Sequence, residues 1–359
     1  MAYTFMDFCA GIGCGRLGLE LAGFQCVGFS EINSKAEETY RTFFGKEERN
    51  YGDLMKIKPN DLPDFDLLIA GFPCQTFSVI GQRKGMEDPR GQVIFGIRNI
   101  LKAKNIKYFI LENVKGLVNH EGGKTLESII ELLDEAGYYV TQKVLNTKDY
   151  GLPQSRERIY FYGVRKDLAP FSKKLEFPEK IDIKPNLNDY LIEKSDKYIM
   201  NEKKLETLSY YLRNKYNNGK YTIEDLIKKE GYIIDTRQSD IRFYLNMSPT
   251  LRTGRHGLIY SKNGKLRDIS GLESLLLQGI PYDLAQKTIN VISDKDLLGQ
   301  AGNAMSVNVI AALGHKFMNF ILSNNPHDNR LSPALITNSK MMISEGAGHN
   351  KYIQQLEKR

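Results

Sequence analysis

Residues 71 to 75 read Gly-Phe-Pro-Cys-Gln and follow a buried-strand pattern, Asp66-Leu67-Leu68-Ile69-Ala70. Cys74 therefore falls just past the carboxyl end of a strand, in the crevice where open α/β sheets place their ligands. A lone cysteine is most often a small buried hydrophobe, but its company here argues for more. Glu112-Asn113-Val114 closes the strand pattern Tyr108 to Leu111, and Gln154-Ser155-Arg156-Glu157-Arg158 leads into Ile159-Tyr160-Phe161. A thiol, a carboxylic acid and two guanidinium groups can thus meet at one sheet edge. Singly each is ordinary, and a Glu–Arg ion pair at strand ends is the default. Together they suit a reaction in which a soft nucleophile adds to a planar ring while an acid and a cation manage its protons and charge.

A second set lies earlier. Asp7-Phe8-Cys9-Ala10-Gly11-Ile12-Gly13-Cys14-Gly15 puts an acid and a glycine-rich turn at the end of the first strand, where a ligand can approach bare backbone. It reads as a loop for a nucleotide-like cofactor. Gly13, Gly15 and Gly18 match G-x-G-x-x-G, so an NAD-type reading stands beside one of S-adenosylmethionine. Glu31, ending the second strand pattern, can hold ribose hydroxyls in either case. Asp53 offers an acceptor for an adenine amino group, and hydride transfer has no use for the Cys74 thiol. Both favour S-adenosylmethionine, with two solvated loop acids as the plainer alternative.

The elements that must position these residues alternate. Strand patterns at Tyr3 to Phe8, Gln25 to Glu31, Asp66 to Ala70, Lys107 to Leu111, Tyr139 to Leu145 and Arg158 to Val164 are separated by helical ones. These run from Arg16 to Ala22, from a capping-box spacing at Ser34 to Glu37, from Val93 to Ala103 and from Thr125 to Ala136. The alternation predicts an α/β fold with a doubly wound, mainly parallel sheet. Between about Lys166 and Tyr244 the apolar period weakens, which predicts a smaller second domain. Helical patterns return at Gly271 to Gln278 and Ser306 to Ile321, the latter apolar enough to pack back on the first domain. The expected division is 1–180 completed by 296–323, a small domain over 181–295, and a tail over 324–359.

Composition narrows the class. The chain has 359 residues, 41% of them hydrophobic, enough for a sizeable core. No apolar stretch reads as a membrane span and no leader pattern is present, so the expectation is a cytoplasmic protein with no membrane partner. Cys9, Cys14, Cys26 and Cys74 form no Cys-x-x-Cys pair, and neither a disulfide framework nor a metal site is expected. Residues 171–270 hold 20 Lys and Arg against 14 Asp and Glu, so +6 of the net +7 sits there, with nine of the 20 tyrosines. Cations mixed with flat rings suit nucleic acid.

In order along the chain, the blocks Asp7 to Gly15, Gly71 to Ser78 with Gly81-Gln82-Arg83-Lys84-Gly85, Glu112-Asn113-Val114, Gln154 to Arg158, and Gly299 to Ala304 resemble those of the DNA cytosine C5 methyltransferases. The likeness is to the bacterial type with one target-recognition region, and it spans roughly residues 4 to 315. The resemblance implies the S-adenosylmethionine-dependent fold and methyl transfer to C5 of a flipped-out cytosine in a specific double-stranded sequence, through a covalent bond from Cys74 to C6. It makes Cys74 the nucleophile, Glu112 the acid at N3 and the exocyclic amine, Arg158 the guanidinium beside the base, and Arg156 its support or a phosphate ligand.

By the same resemblance the cofactor, released as S-adenosylhomocysteine, is held by Phe8, Cys9, Ala10, Gly11, Ile12, Gly13, Cys14, Glu31, Ile32, Asp53, Leu54, Pro73, Val93, Asn303 and Ala304. Cys9 stands where the family usually has Phe and Cys14 where it has Gly, which removes a ring that would pack on the cofactor; Phe8 could replace it if the strand's register allows. A loop from Thr76 to Val93 would close over the base. DNA contacts are expected from Gln75, Ser78, Arg83, Lys84, Gln154, Arg252 and Arg255, with His256 beside them, and the recognition region between about 180 and 265. Family habit also implies a cognate restriction endonuclease acting independently as partner, although an orphan role fits the same residues, and a monomer is expected because one flipped cytosine needs only one active site.

Other classes fit less well. Amino-group DNA methyltransferases use an acid or amide followed by Pro-Pro, and none of the 12 prolines here adjoins another. The tRNA-directed relatives carry Cys-Phe-Thr in the recognition region, but no cysteine follows Cys74. A dehydrogenase would bind nicotinamide, and a non-catalytic DNA-binding module would bind DNA without trapping it.

Overall fold

Alternation of apolar residues builds six strands into one sheet: β1 (Thr4–Phe8), β2 (Gln25–Ser30), β3 (Leu67–Gly71), β4 (Tyr108–Val114), β5 (Tyr138–Asn146) and β6 (Glu157–Arg165). The computed structural model describes residues 2–73, 93–168 and 175–324. The strand order is β2-β1-β3-β4-β6-β5. Neighbours β2, β1, β3 and β4 run parallel, and only β6 is reversed, pairing antiparallel with β4 and β5. This is the mainly parallel α/β sheet expected, with element ends shifted by a residue or two.

The period-2 pattern sorts side chains between two covered faces. Met6, Phe8, Leu68, Ala70, Phe109, Leu111, Ile159 and Phe161 face a core filled by Ile94, Ile97, Ile100 and Leu101 of α3 (Val93–Ala103) and Ile129 and Leu133 of α4 (Lys124–Glu135). On the other face, Phe317 of the helix Val307–Asn324 packs edge-on against Tyr108 and Tyr162, at 5.4 and 4.9 Å between ring centroids. That helix also packs on α1 (Cys14–Leu21). A fully buried side chain of this size contributes about 1.5–3 kcal/mol, so both helical layers hold the sheet firmly. Asp7, Ile69 and Glu112 alternate with the α3-facing residues and share the α1 side.

Two expectations change. Helix α2 (Ser34–Phe44) is opened by Asn33, not Ser34: the Asn33 Oδ1 accepts the N–H groups of Lys35 and Ala36 at 3.0 and 3.1 Å. And the segment 294–324 does contain an 18-residue window with mean hydropathy 1.3, apolar enough to span a membrane by composition, yet 72% of it is buried in the fold. Its apolarity serves the core.

The first compact unit comprises the described residues of 2–146, 157–181 and 305–324. The second comprises Thr147–Arg156 and Asp182–Ala304. Within the second, β7 (Tyr232–Asp235), β8 (Arg242–Leu245), β9 (Leu258–Lys262) and β10 (Lys265–Asp268) form an antiparallel sheet in the order β10-β9-β7-β8. Leu208 and Leu212 of the helix Glu202–Leu212 pack with Leu226, Ile234, Ile241, Ile259 and Leu266 as its core. The segment 154–155 joins this unit through a parallel bridge to Ser248–Pro249.

Candidate active site

The turn after β1 adopts a left-handed backbone repeatedly: Cys9 has φ 51°, Gly11 57° and Gly13 87°. Gly13 has a steric reason to lack a side chain, since a Cβ there would collide with the Phe44 ring and stand 2.9 Å from Tyr40. Tyr40 in turn stacks on Phe29, with ring centroids 3.8 Å apart. Over Gly11 there is nothing within 4 Å among the described residues, which leave that face of the turn open to a ligand.

Glu31 closes the turn from the side. Its Oε2 accepts the Gly11 N–H at 2.7 Å and its Oε1 the Asn33 N–H at 2.7 Å. Asn50 fixes its backbone, accepting the Glu31 N–H at 3.0 Å and donating to the Glu31 carbonyl at 2.9 Å. The same Asn50 Oδ1 accepts the Gly52 N–H at 2.9 Å, which carries the chain to Asp53. Asp53 caps the short turn Leu54–Lys56 by accepting the Met55 N–H at 3.0 Å. Cys9 lies near Asp7, Glu31 and Asp53; burial, then those charges, push its thiol up to about 12, so it stays protonated at neutral pH. Ile32 is 75% exposed beside Glu31. Ala10, Ile12, Cys14 and Leu54 are buried, Val93 is half-buried and Pro73 exposed.

Beneath the turn lies Asp7, which sequence reasoning did not count as a site residue. Its side chain is fully buried; Oδ2 accepts the Arg16 N–H at 3.1 Å, and Oδ1 has no hydrogen-bond partner among the described residues. Burial raises its carboxyl well above the usual range, against the lowering effect of Arg16.

At the end of β4, Glu112 and Arg158 form an ion pair, Nε to Oε1 at 3.0 Å, with side chains only 9% and 13% exposed. The register explains it: Val114 faces Arg158 and Glu112 faces Tyr160 across the β4–β6 ladder, so Arg158 reaches its partner diagonally. Removing one member of so buried a pair would leave a charge uncompensated, at a cost of about 3–5 kcal/mol. The neighbouring Asn113 is buried; its Nδ2 donates to the Phe72 carbonyl at 3.0 Å and its Oδ1 accepts the Val114 N–H at 2.8 Å. That bond pins the chain two residues before Cys74. Asn113 and Asn50 act through partners 41 and 19 residues away, which no local pattern announces.

Cys74, Gln75, Ser78, Arg83 and Lys84 lie outside the described residues. Three other expectations are corrected. Phe8 is fully buried in the sheet core against Phe65, at 6.2 Å between rings, so it cannot stand in for the ring missing at position 9. Gln154, expected at DNA, is fully buried: its Nε2 donates to the Leu277 carbonyl at 2.8 Å and to Gln278 Oε1 at 3.3 Å. Arg156, expected at the reaction centre, is 1% exposed, and its guanidinium donates to the carbonyls of Leu251, Gly302 and Ala304 at 3.2, 3.1 and 2.7 Å. A guanidinium spanning three carbonyls braces the second unit. Asn303 ends the helix Asp294–Asn303 of that unit, with Ala304 as its cap. Arg252, Arg255 and His256 are exposed on one loop of it.

The architecture is that of the α/β methyltransferases. Dnmt2 methyltransferase of S. pombe superposes with a TM-score of 0.63 over 89% of this chain and 98% of its own, at 23% identity. A putative DNA modification methyltransferase encoded within an E. coli prophage gives 0.63 over 89% and 99%, at 20% identity. The sequence then fixes the family: a profile of the C-5 cytosine-specific DNA methylases matches residues 3–319, and the chain belongs to that family. Type II methyltransferase M.NgoBI of Neisseria gonorrhoeae is 39% identical over 86% of this chain and 91% of its own. M.HaeII of Haemophilus aegyptius is 38% identical over 88% and 93%. The protein is a DNA (cytosine-5)-methyltransferase by family.

Proposed function

We propose that the chain methylates C5 of a cytosine flipped out of a specific double-stranded sequence, through a covalent bond from Cys74 to C6. The observation that carries this reading is the buried Glu112–Arg158 pair next to Asn113, whose amide holds the Phe72 carbonyl just upstream of Cys74. C5 of cytosine is a poor nucleophile. Addition of the Cys74 thiolate to C6 moves an electron pair toward N3, where the Glu112 carboxyl supplies a proton and also accepts from the exocyclic amine; Arg158 holds that carboxyl in place. The C5 carbon of the resulting enamine then takes up the methyl group. Loss of the C5 proton to a base expels the Cys74 thiolate while N3 returns its proton to Glu112, which restores the ring and leaves 5-methylcytosine.

The residues fit S-adenosylmethionine, which supplies the electrophilic methyl on a sulfonium. The open face over Gly11, the fixed Glu31 carboxylate and the exposed Ile32 give backbone, ribose-hydroxyl and apolar contacts, and Asp53 an acceptor for the adenine amine. Attack on C6 must come from above the ring, which stacking prevents, so the base leaves the duplex at a cost of a few kcal/mol. The second unit, with Arg252 and Arg255, is read as the DNA-recognition part that offsets this cost. The names of the relatives support a role as the modification partner of a restriction endonuclease that acts independently. A monomer in the cytoplasm suffices, since one flipped cytosine needs one active site.

The test is incubation with S-adenosylmethionine and a random-sequence duplex library carrying 5-fluorocytosine. Fluorine cannot leave as a cation, so an adduct stable in denaturant should accumulate and map by peptide mass to Cys74. A chain that methylates unmodified DNA yet forms no such adduct sinks the covalent route. Bisulfite sequencing of methylated DNA then names the target.

A further inference from the structure

In the second unit, residues 236–241 join β7 to β8 and expose Ser239 and Asp240, with Gln238 half-buried. A polar loop of this kind is ordinarily satisfied by water and mobile. Here its backbone is gripped by side chains from the helix Glu202–Leu212 and the turn after it. Tyr211 Oη donates to the Gln238 carbonyl at 3.0 Å, Asn214 Nδ2 donates to the Ser239 carbonyl at 2.9 Å, and Asn217 Oδ1 accepts the Ile241 N–H at 2.8 Å.

The gripping residues are themselves fixed. Asn217 Nδ2 donates to the Tyr211 carbonyl at 2.9 Å, and Asn214 Oδ1 accepts the N–H groups of Tyr216 and Asn217 at 2.9 and 2.8 Å. From the other side, Thr236 donates to the Gly257 carbonyl through N and Oγ1, at 2.9 and 3.0 Å. Arg237, paired with Asp235 and 4% exposed, donates to the Thr250 carbonyl at 3.0 Å. Both bonds tie the 236–241 loop to the ends of the loop that exposes Arg252, Arg255 and His256.

We propose that Tyr211, Asn214 and Asn217 are positioning residues for DNA reading. They touch no base; they hold Gln238 and Ser239 in a single presentation beside the exposed arginines, so that base edges meet preorganised donors and acceptors. A glutamine amide pairs in two places with adenine and a serine hydroxyl with any base, but only if the loop is held still. This rests on the reading of the second unit as the DNA-recognition part. Each grip bond is expected to change the equilibrium between held and free loop by roughly threefold to tenfold.

The test compares kcat/KM on the mapped target with kcat/KM on duplexes carrying each single base-pair change. Tyr211→Phe removes one grip bond; Asn214→Asp keeps the acceptor that shapes the turn but loses the donor to Ser239. Tyr260→Phe, which breaks a 2.9 Å bond to Glu273 elsewhere in the same unit, is the control for lost stability. The double variant should lose about tenfold on the target and on duplexes altered away from the loop's contacts, change little on those altered at the one or two positions the loop reads, and keep kcat at saturating DNA, so that discrimination narrows about tenfold at those positions alone. Tyr211→Phe alone should narrow it less at the same positions, and serves if the double variant does not fold. Undiminished discrimination in folded Tyr211→Phe and in the double variant overturns the proposal, as does equal narrowing in Tyr260→Phe. A wild-type chain that methylates without sequence preference overturns the recognition reading as well, and is seen before any variant is made.

Discussion

Glu112 and Asp7 are two acids on the same face of one sheet, and their surroundings give them opposite lives. Glu112 has the Arg158 guanidinium at 3.0 Å, a partner that fixes its direction. Asp7 has one backbone N–H and no partner for Oδ1 among the described residues, so burial raises its carboxyl well above the ordinary 3.8. A carboxyl whose folded pKa lies above its unfolded one binds more protons when folded. Its contribution to stability is therefore greatest at low pH and falls as pH rises from about 4 to the folded value. Asp7→Asn removes the buried charge while keeping an acceptor for the Arg16 N–H. It should be more stable than wild type at pH 8, by at least about 1 kcal/mol, with the gap closing toward pH 4. Denaturant unfolding across that range measures it, and a gap that widens on acidification would refute the assignment.

At the scale of elements, the glycine turn shows two reasons for the same residue type. Gly13 is bound by packing, because α2 presses Tyr40 and Phe44 against it; Gly11 has open space. Gly13→Ala combines a left-handed φ with a collision, and should cost about 2–4 kcal/mol of stability. Gly11→Ala should cost about 1 kcal/mol of stability and instead weaken S-adenosylmethionine binding, since its methyl occupies the ligand face. Calorimetric titration and thermal unfolding of both variants separate the effects; equal losses of stability would contradict the geometry. The strands and helices were legible because burial imposes periods of 2 and 3.6, and Glu112, Arg158 and Glu31 because they sit where strands end. Phe8 was misread because one step along a strand reverses the face. Gln154 and Arg156 were misread because the run before β6 does not reveal which way its long side chains turn. The Asn33 cap is local, with partners two and three residues on, whereas the Asn50 and Asn113 braces depend on neighbours in space.

Over the whole molecule, the charge follows the division of labour. The segment 171–270, mostly in the second unit, carries +6 of the net +7, while the first unit is nearly balanced. Ion pairs inside the segment, such as Arg237–Asp235 and Lys204–Asp268, remove cations and acids in equal number and leave that excess untouched. The excess counts the cations for which the segment has no acid of its own. Arg252 and Arg255 are among the exposed cations of the segment, and they stand on a loop whose ends are tied down. Each phosphate neutralised releases condensed counterions, and log Kobs falls against log salt with a slope of about −0.9 per contact. Replacing both arginines with alanine should make the slope shallower by about 1.8 if both meet phosphate, and weaken target and random duplexes alike. If either reads a base edge instead, the loss should concentrate on the target, by about 1–3 kcal/mol for that residue. Fluorescence anisotropy at a series of salt concentrations, on target and random duplexes in parallel, distinguishes the two. An unchanged slope together with unchanged discrimination would remove this loop from the DNA interface and leave the 236–241 loop to make the contact alone.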